Sequence, residues 1–262
     1  MNQMALSHLL SALGGGGSVT GFFLVLARVT PLFIVAPLFS SKMIPAAVRG
    51  VIAVGLAIGL TGIASHGQHI PTEPLQVAGL IVVQLLIGLL LSFAVAGVFA
   101  AVQAAGGLTD LVSGMSFGSM IDPVNRTPGG VFTEFYGLVG VMLFVAIGGD
   151  AWILRGLART FTLVPLTGTV HINSLVAGAE SAFVSIFTSA LEVAAPAILA
   201  LLITDVAFGM VSRVVPQLSV FSVAFPLKIG VTLLVVAAAL PFLGGWISDQ
   251  MYTSVATALH AL

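Results

Sequence analysis

The chain has 262 residues, 58% of them hydrophobic and only 6% charged, with a formal net charge of −1. Ordinary soluble domains carry about 25% charged residues. This composition, with a mean hydropathy of +1.18, excludes a soluble domain and gives no footing for nucleic acid or a strongly charged partner. With no cysteine, a disulfide framework and thiolate chemistry are excluded as well. The apolar blocks run to about 20 residues or more, the length a helix needs to cross lipid, whereas a membrane β-barrel alternates in ~10-residue strands. An all-α membrane protein is expected, its first span acting as the insertion signal because no basic n-region and clean apolar h-region precede it.

Residues 1–19 hold Gly14–Gly17 and Ser18 and predict a flexible N-terminal segment. Block one, Thr20–Phe39, contains Arg28 and is interrupted by Pro31 and Pro37. Proline removes a backbone donor and kinks a helix, a break tolerated in lipid only where protein groups satisfy the backbone again. Ser40–Pro45 is a tight connection with Lys42. Block two, Ala46–Ala64, carries Arg49 near its start and places Gly55 and Gly59 on one face, a spacing that permits close packing. Ser65–Pro74 is a polar loop with His66, His69 and Glu73. Block three, Leu75–Ala104, is long enough to overrun a bilayer and is punctuated by Gln84 and Gln103.

The stretch Gly106–Pro123, GGLTDLVSGMSFGSMIDP, is unusual for a loop between apolar blocks. It combines Gly106, Gly107, Gly114 and Gly118 with Met115, Ser116, Phe117 and Met120, and leaves through Asp122-Pro123. Glycine lets the backbone bend or approach closely, and methionine fills apolar space adaptably. A bendable, greasy loop of this kind is what a seal across a pore requires.

Thr127-Pro128 predicts the N-cap and first residue of the next helix. Block four, Val131–Gly148, has Glu134 in its opening turn, favourable for the helix dipole. Gly149–Ser174 is an amphipathic connection whose Trp152, Arg155 and Arg159 suit an interfacial helix. Block five, Leu175–Val211, is interrupted by Glu180, Glu192, Pro196 and Asp205 and is expected as one long bent helix or two pieces. Block six, Leu218–Leu240, holds Pro226 and Lys228, and a tail, Pro241–Leu262, carries Trp246 and Asp249. No internal repeat is visible. The expectation is one membrane domain, residues 1–262, of about six kinked hydrophobic helices.

An outside N-terminus would place Lys42, Arg49, Arg126 and Arg213 inside, as the positive-inside rule prefers, but would leave Arg155 and Arg159 outside. Gly114-Met115-Ser116-Phe117-Gly118 matches G-x-S-x-G, but a nucleophile elbow needs a strand before it and a helix after, and the histidines lie near ends or in loops. An intramembrane aspartyl protease needs two facing aspartates; Asp110, Asp122, Asp150 and Asp205 are available, but Ile147-Gly148-Gly149-Asp150 lacks the first glycine of the G-x-G-D form. His66 and His69 have only Glu73 nearby, which leaves a metal site incomplete. No catalytic residue, metal or cofactor is therefore expected.

Ionisable groups inside apolar blocks are costly and mark function by default. Arg28, Glu134, Glu180, Glu192, Asp205 and Lys228 either line an ion path or pair with opposite charges on neighbouring helices or subunits. Their scatter favours pairing over a compact proton relay. A small-molecule transporter would also use proline-broken helices and buried charges, but its usual pointer is a pair of interrupted segments in corresponding halves.

The segment Arg213-Val214-Val215-Pro216-Gln217-Leu218-Ser219-Val220-Phe221, followed by Ala224-Phe225-Pro226-Leu227-Lys228, resembles the R-x-x-P-Q-L-x-x-F…G-F-P-x-K signature of the FliR family of type III secretion export-gate proteins. Gly114, Ser116, Phe117 and Asp122-Pro123 are similar to that family's central loop, and Arg28, Pro31, Pro37, Pro45 and Arg49 follow its order. The chain departs from it at Val112-Ser113, at Ala224, and at Asp110, a place often uncharged. The resemblance implies a FliP-like part joined to a FliQ-like hairpin and a subunit of the flagellar export gate. The implied partners are FliP-like and FliQ-like membrane subunits, FlhB-like and FlhA-like proteins, unfolded export substrates and membrane lipid. The virulence secretion branch is its close neighbour. The resemblance further implies a plug at 106–123, and an assembly role is expected for Arg28, Arg49, Glu134, Asp205, Arg213, Gln217 and Lys228.

Overall fold

The computed structural model describes residues 16–37, 39, 44–116, 130–214 and 220–262, and every regular element among them is a helix. In chain order these are α1 (Gly16–Val35), α2 (Ala46–Ala64), α3 (Pro74–Ser113), α4 (Val131–Ala146), α5 (Gly149–Leu163), α6 (Ile172–Val214) and α7 (Val220–His260). The six apolar blocks all appear as helices, and the amphipathic connection supplies the seventh. Among the described residues four helices are long and apolar enough to cross a membrane, or up to five if α4 and α5 are counted as one broken span.

Block five takes the first of its two expected forms, a single helix with Pro196 inside it. Other boundaries differ from the sequence expectation. Helix α1 stops at Val35 rather than Phe39, because Pro37 disfavours helical backbone at the residue before it. Helix α3 runs on to Ser113 rather than ending at Ala104. The tail is not separate, since α7 runs through Pro226 and Pro241 to His260. Each proline removes one donor, and the apolar turns on either side continue where water cannot compete for the freed carbonyl. Helices α3, α6 and α7 have 40, 43 and 41 residues, each about 60 Å long against about 30 Å of bilayer hydrocarbon.

The chain forms two compact units that alternate in sequence. One holds the described residues up to Ala96 with Asp150–Ala182 and Thr253–Leu262. The other holds Gly97–Gly149 and Phe183–Tyr252.

In the first unit α1 and α2 pack antiparallel, since Gly21 near the start of α1 lies against Ser65 and Ile70 beyond the end of α2. The buried stripe of α1 is Leu24, Val25, Arg28, Val29 and Leu32, the spacing of one helix face. Helix α2 contributes Ala53, Ala57, Thr61 and Ala64. Its Gly55 and Gly59 have no described atom within 4 Å of where a Cβ would stand, so the close packing their spacing permits is not used among the described residues. Helix α5 buries Ile153, Gly156, Leu157, Thr160 and Phe161, while Trp152, Arg155 and Arg159 point outward.

In the second unit the C-terminal part of α3 and α4 form an antiparallel pair. Phe99 meets Phe144 edge to face at 5.1 Å, Gly140 lies against Val102, and Gly106 lies against Phe132 and Thr133. A Cβ on Gly106 would stand 2.5 Å from the Phe132 carbonyl oxygen, so the two backbones approach there as only glycine allows.

Candidate functional site

The segment expected as a plug divides into two parts. Gly106–Ser113 belongs to α3 and is not loop. Gly106 and Gly107 do not break this helix, because they serve its contact with α4. The helix ends at Gly114, whose φ of +84° is the left-handed conformation that terminates helices at low cost for glycine. Met115 and Ser116 follow, both half-buried. Phe117, Gly118, Met120, Asp122 and Pro123 lie outside the described residues.

The far side of this segment is where α4 begins, with Gly130 as its N-cap; the expected start signal, Thr127-Pro128, lies outside the described residues. Gly130 has no side chain to satisfy the first amides, and Asp110 of α3 does so from across the pair. One Asp110 carboxylate oxygen accepts the Phe132 N–H at 2.9 Å. The other accepts the Thr133 N–H at 2.8 Å and the Thr133 hydroxyl at 2.8 Å. These amides are the second and third of the helix, the donors that a capping side chain normally takes. A carboxylate there also meets the positive end of the helix dipole. Asp110 is only 2% exposed, and Gly130 lies directly against its carboxylate. One buried side chain therefore ties together the two ends of the 114–130 stretch.

Arg28 is the organising residue of the first unit. It is fully buried in the α1 stripe. Its Nε donates to Gln84 Oε1 at 2.6 Å, one Nη to Thr160 Oγ1 at 3.2 Å and the other to the Val164 carbonyl at 2.9 Å. The guanidinium also lies over the Phe161 ring, 4.3 Å from its centre. Gln84 in turn donates to the Leu166 carbonyl at 3.0 Å. Gly88, one turn beyond Gln84, clears space for the main-chain carbonyl of Arg28. The expected opposite charge is thus replaced by neutral acceptors and a π face, all supplied by this chain. A planar cation with five donors suits such a site.

Asp205 and Lys228 do pair as opposite charges, at 2.5 Å, joining α6 to α7 within the second unit. Lys228→Met would leave a lone carboxylate beside apolar helices, a cost of up to about 3 kcal/mol in lipid. Its level in membranes is expected to fall, and Asp205→Asn in the same chain is expected to restore most of it. Equal levels for wild type and K228M, measured by quantitative blotting, would exclude the pairing role.

Residues 19–254 match the sequence profile described as bacterial export proteins, family 1. The chain is 32% identical over 225 residues to flagellar biosynthetic protein FliR of Escherichia coli strain K12, covering 85% of each chain. It is 29% identical to FliR of Bacillus subtilis strain 168, covering 80% of this chain and 82% of the relative. It is 28% identical to the surface presentation of antigens protein SpaR of Shigella flexneri, covering 78% of each. The chain belongs to the FliR family of bacterial export proteins.

As a FliR-family chain it is a type III export protein with several membrane-span-like helices, and proteins of this family are non-enzymatic transport components. The remaining expected residues are dispersed. Arg49 is half-buried near the start of α2, Glu134 is exposed in the first turn of α4, and Arg213 is exposed in the last turn of α6. Gln217 lies outside the described residues. His66 and His69 are exposed, and no group of three or more metal-binding side chains occurs among the described residues.

Sequence reasoning overlooked the partners that make these sites: Gln84, Thr160 and Phe161 around Arg28, and Asp110 at α4. Gln84 was visible as a polar interruption of an apolar block, and Asp110 as a departure from the family pattern. Neither signal identified its partner.

Proposed function

We propose that this chain is an export-gate subunit of the flagellar type III secretion system, seated in the bacterial inner membrane at the flagellar basal body. It forms and seals the conduit for unfolded flagellar subunits together with FliP-like and FliQ-like membrane subunits, with FlhB-like and FlhA-like proteins adjacent. The observation that carries the gate reading is the Asp110 clamp, which joins the end of α3 to the start of α4 on either side of the Gly/Met/Phe stretch. A constriction lined by such residues can exclude ions by dewetting and yield to a passing chain.

Support for the assembly reading comes from surface chemistry. Among the described residues, α2, α6 and α7 have most of their span residues unburied, and no atom lies within 4 Å of where a Cβ on Gly55 or Gly59 of α2 would stand. Sister subunits would cover such faces, consistent with helices that exceed the bilayer. Support for the flagellar branch comes from the Gln217–Phe221 and Phe225–Lys228 wording and from the FliR relatives. The SpaR relative makes a virulence secretion gate the second reading.

Two measurements test this. Coexpression with the neighbouring membrane subunits, followed by mass measurement of the intact complex, is expected to show a hetero-oligomer; a solitary chain would overturn the proposal. Deleting residues 115–121, which spares the packed end of α3, is expected to raise ion leak through the assembled complex. Wild-type conductance in a complex of normal yield would remove the plug role.

A further inference from the structure

We infer that the notch around Glu192 is the seat for a basic side chain, best an arginine, carried by a neighbouring membrane subunit. The inference rests on the reading of this chain as part of a membrane assembly. A cavity of about 130 Å³ is lined by Tyr136, Glu192, Pro196, Val236, Phe242 and Trp246, among others, all in the second unit. Its mouth is open on the surface of the chain, where Phe242 is 78% exposed and Glu192 is exposed.

Glu192 lies near the midpoint of α6, an apolar helix long enough to span a membrane. Its carboxylate accepts the indole N–H of Trp246 at 3.2 Å, and no cation pairs with it among the described residues. The other acid of α6 in this unit, Asp205, is neutralised by Lys228 within the chain. Among the described residues Glu192 is left with a neutral partner, in surroundings where an unpaired charge is costly. A cation from outside the chain removes that cost.

The groups around Glu192 indicate what kind of cation fits. Pro196 has no N–H to give to the Glu192 main-chain carbonyl, so one residue offers two acceptors near the cavity. Trp246, Tyr136 and Phe242 add aromatic surface that attracts a cation. A guanidinium can stack on such a ring while donating to a carboxylate, and it is more weakly hydrated than an ammonium. The notch favours a protein guanidinium over a lipid ammonium, because only the planar fork stacks on an aromatic ring while donating to a carboxylate.

The test uses the full chain coexpressed with its membrane partners, with a photoreactive benzoylphenylalanine in place of Phe242. Irradiation is expected to join it to a different membrane subunit, and peptide mapping is expected to place the adduct beside an arginine or lysine. Glu192→Gln retains an acceptor for Trp246 and is expected to leave the chain's own membrane level unchanged. It should reduce the adduct and the recovered complex by about tenfold. Glu192→Arg should do the same, and an acid at the mapped basic position should restore both. Adducts to lipid, to a second copy of this chain or only within the chain would overturn the proposal, as would an adduct insensitive to E192Q in an intact complex. A wild-type chain recovered without partners would overturn it together with the assembly reading.

Discussion

Arg28→Met is expected to cost about 3–5 kcal/mol of stability, the largest loss expected from any single substitution in this chain. Methionine fills much of the volume but donates nothing. It leaves Gln84 Oε1 and the Val164 carbonyl without the donors they have in the folded chain. Thr160 loses one of its partners, though its hydroxyl still donates to the Leu157 carbonyl at 2.6 Å. Phe161 loses the cation over its ring. Arg28→Lys keeps a charge but not the planar fork or the stacking, so it is expected to fall between the two. The check is denaturant or thermal unfolding of the purified chain in detergent. Adding Gln84→Leu to Arg28→Met should cost less than the sum of the two changes, by about 1–2 kcal/mol, because the orphaned amide goes with the cation. A variant that melts with the wild type would mean that Arg28 does not hold α1 to α3 and α5.

Asp110→Ala should be the second most damaging change, at about 2–4 kcal/mol, since it removes a helix cap and a buried set of charge-assisted hydrogen bonds together. Asp110→Asn keeps one acceptor but turns an amine toward the amides of α4, and about half that loss is expected. Gly130→Ala approaches the same contact from the other side. Gly130 has φ −70° and ψ 168°, a conformation that alanine adopts freely. Backbone strain therefore plays no part, and the unfolded chain would even favour alanine slightly. The added methyl would instead collide with the Asp110 carboxylate, so G130A should resemble D110A in melting temperature. In the assembled complex both should also raise ion leak, because the ends of the 114–130 stretch are no longer held together. If G130A is as stable as the wild type, the cap across the pair is not the contact that matters.

These two sites show where sequence and structure part. The helices themselves were legible, because apolar runs longer than a bilayer can satisfy their backbones in lipid only as helices. Block two was found to the residue, and the outward face of α5 was readable from Trp152, Arg155 and Arg159. Helix ends were read less well wherever the deciding group came from another segment. Thr127-Pro128 lies outside the described residues, and the start of α4 at Val131 is capped by Asp110, which reaches its amides from α3 and carries no local start signal. Gly106 and Gly107 carry a good local loop signal, but they are helical because α4 packs on them.

The chain order alone determined the class of the protein, the number of its apolar blocks and which residues were costly to bury, since each follows from composition and local periodicity. Only the tertiary structure decided what those residues do. Arg28 binds neutral groups more than fifty residues away, Asp110 caps a helix other than its own, Asp205 finds Lys228, and Glu192 faces an open notch. The reason is physical: hydrogen bonds and ion pairs are short-ranged, so a polar group's partner is fixed by which helices pack together, and a one-dimensional pattern does not encode that.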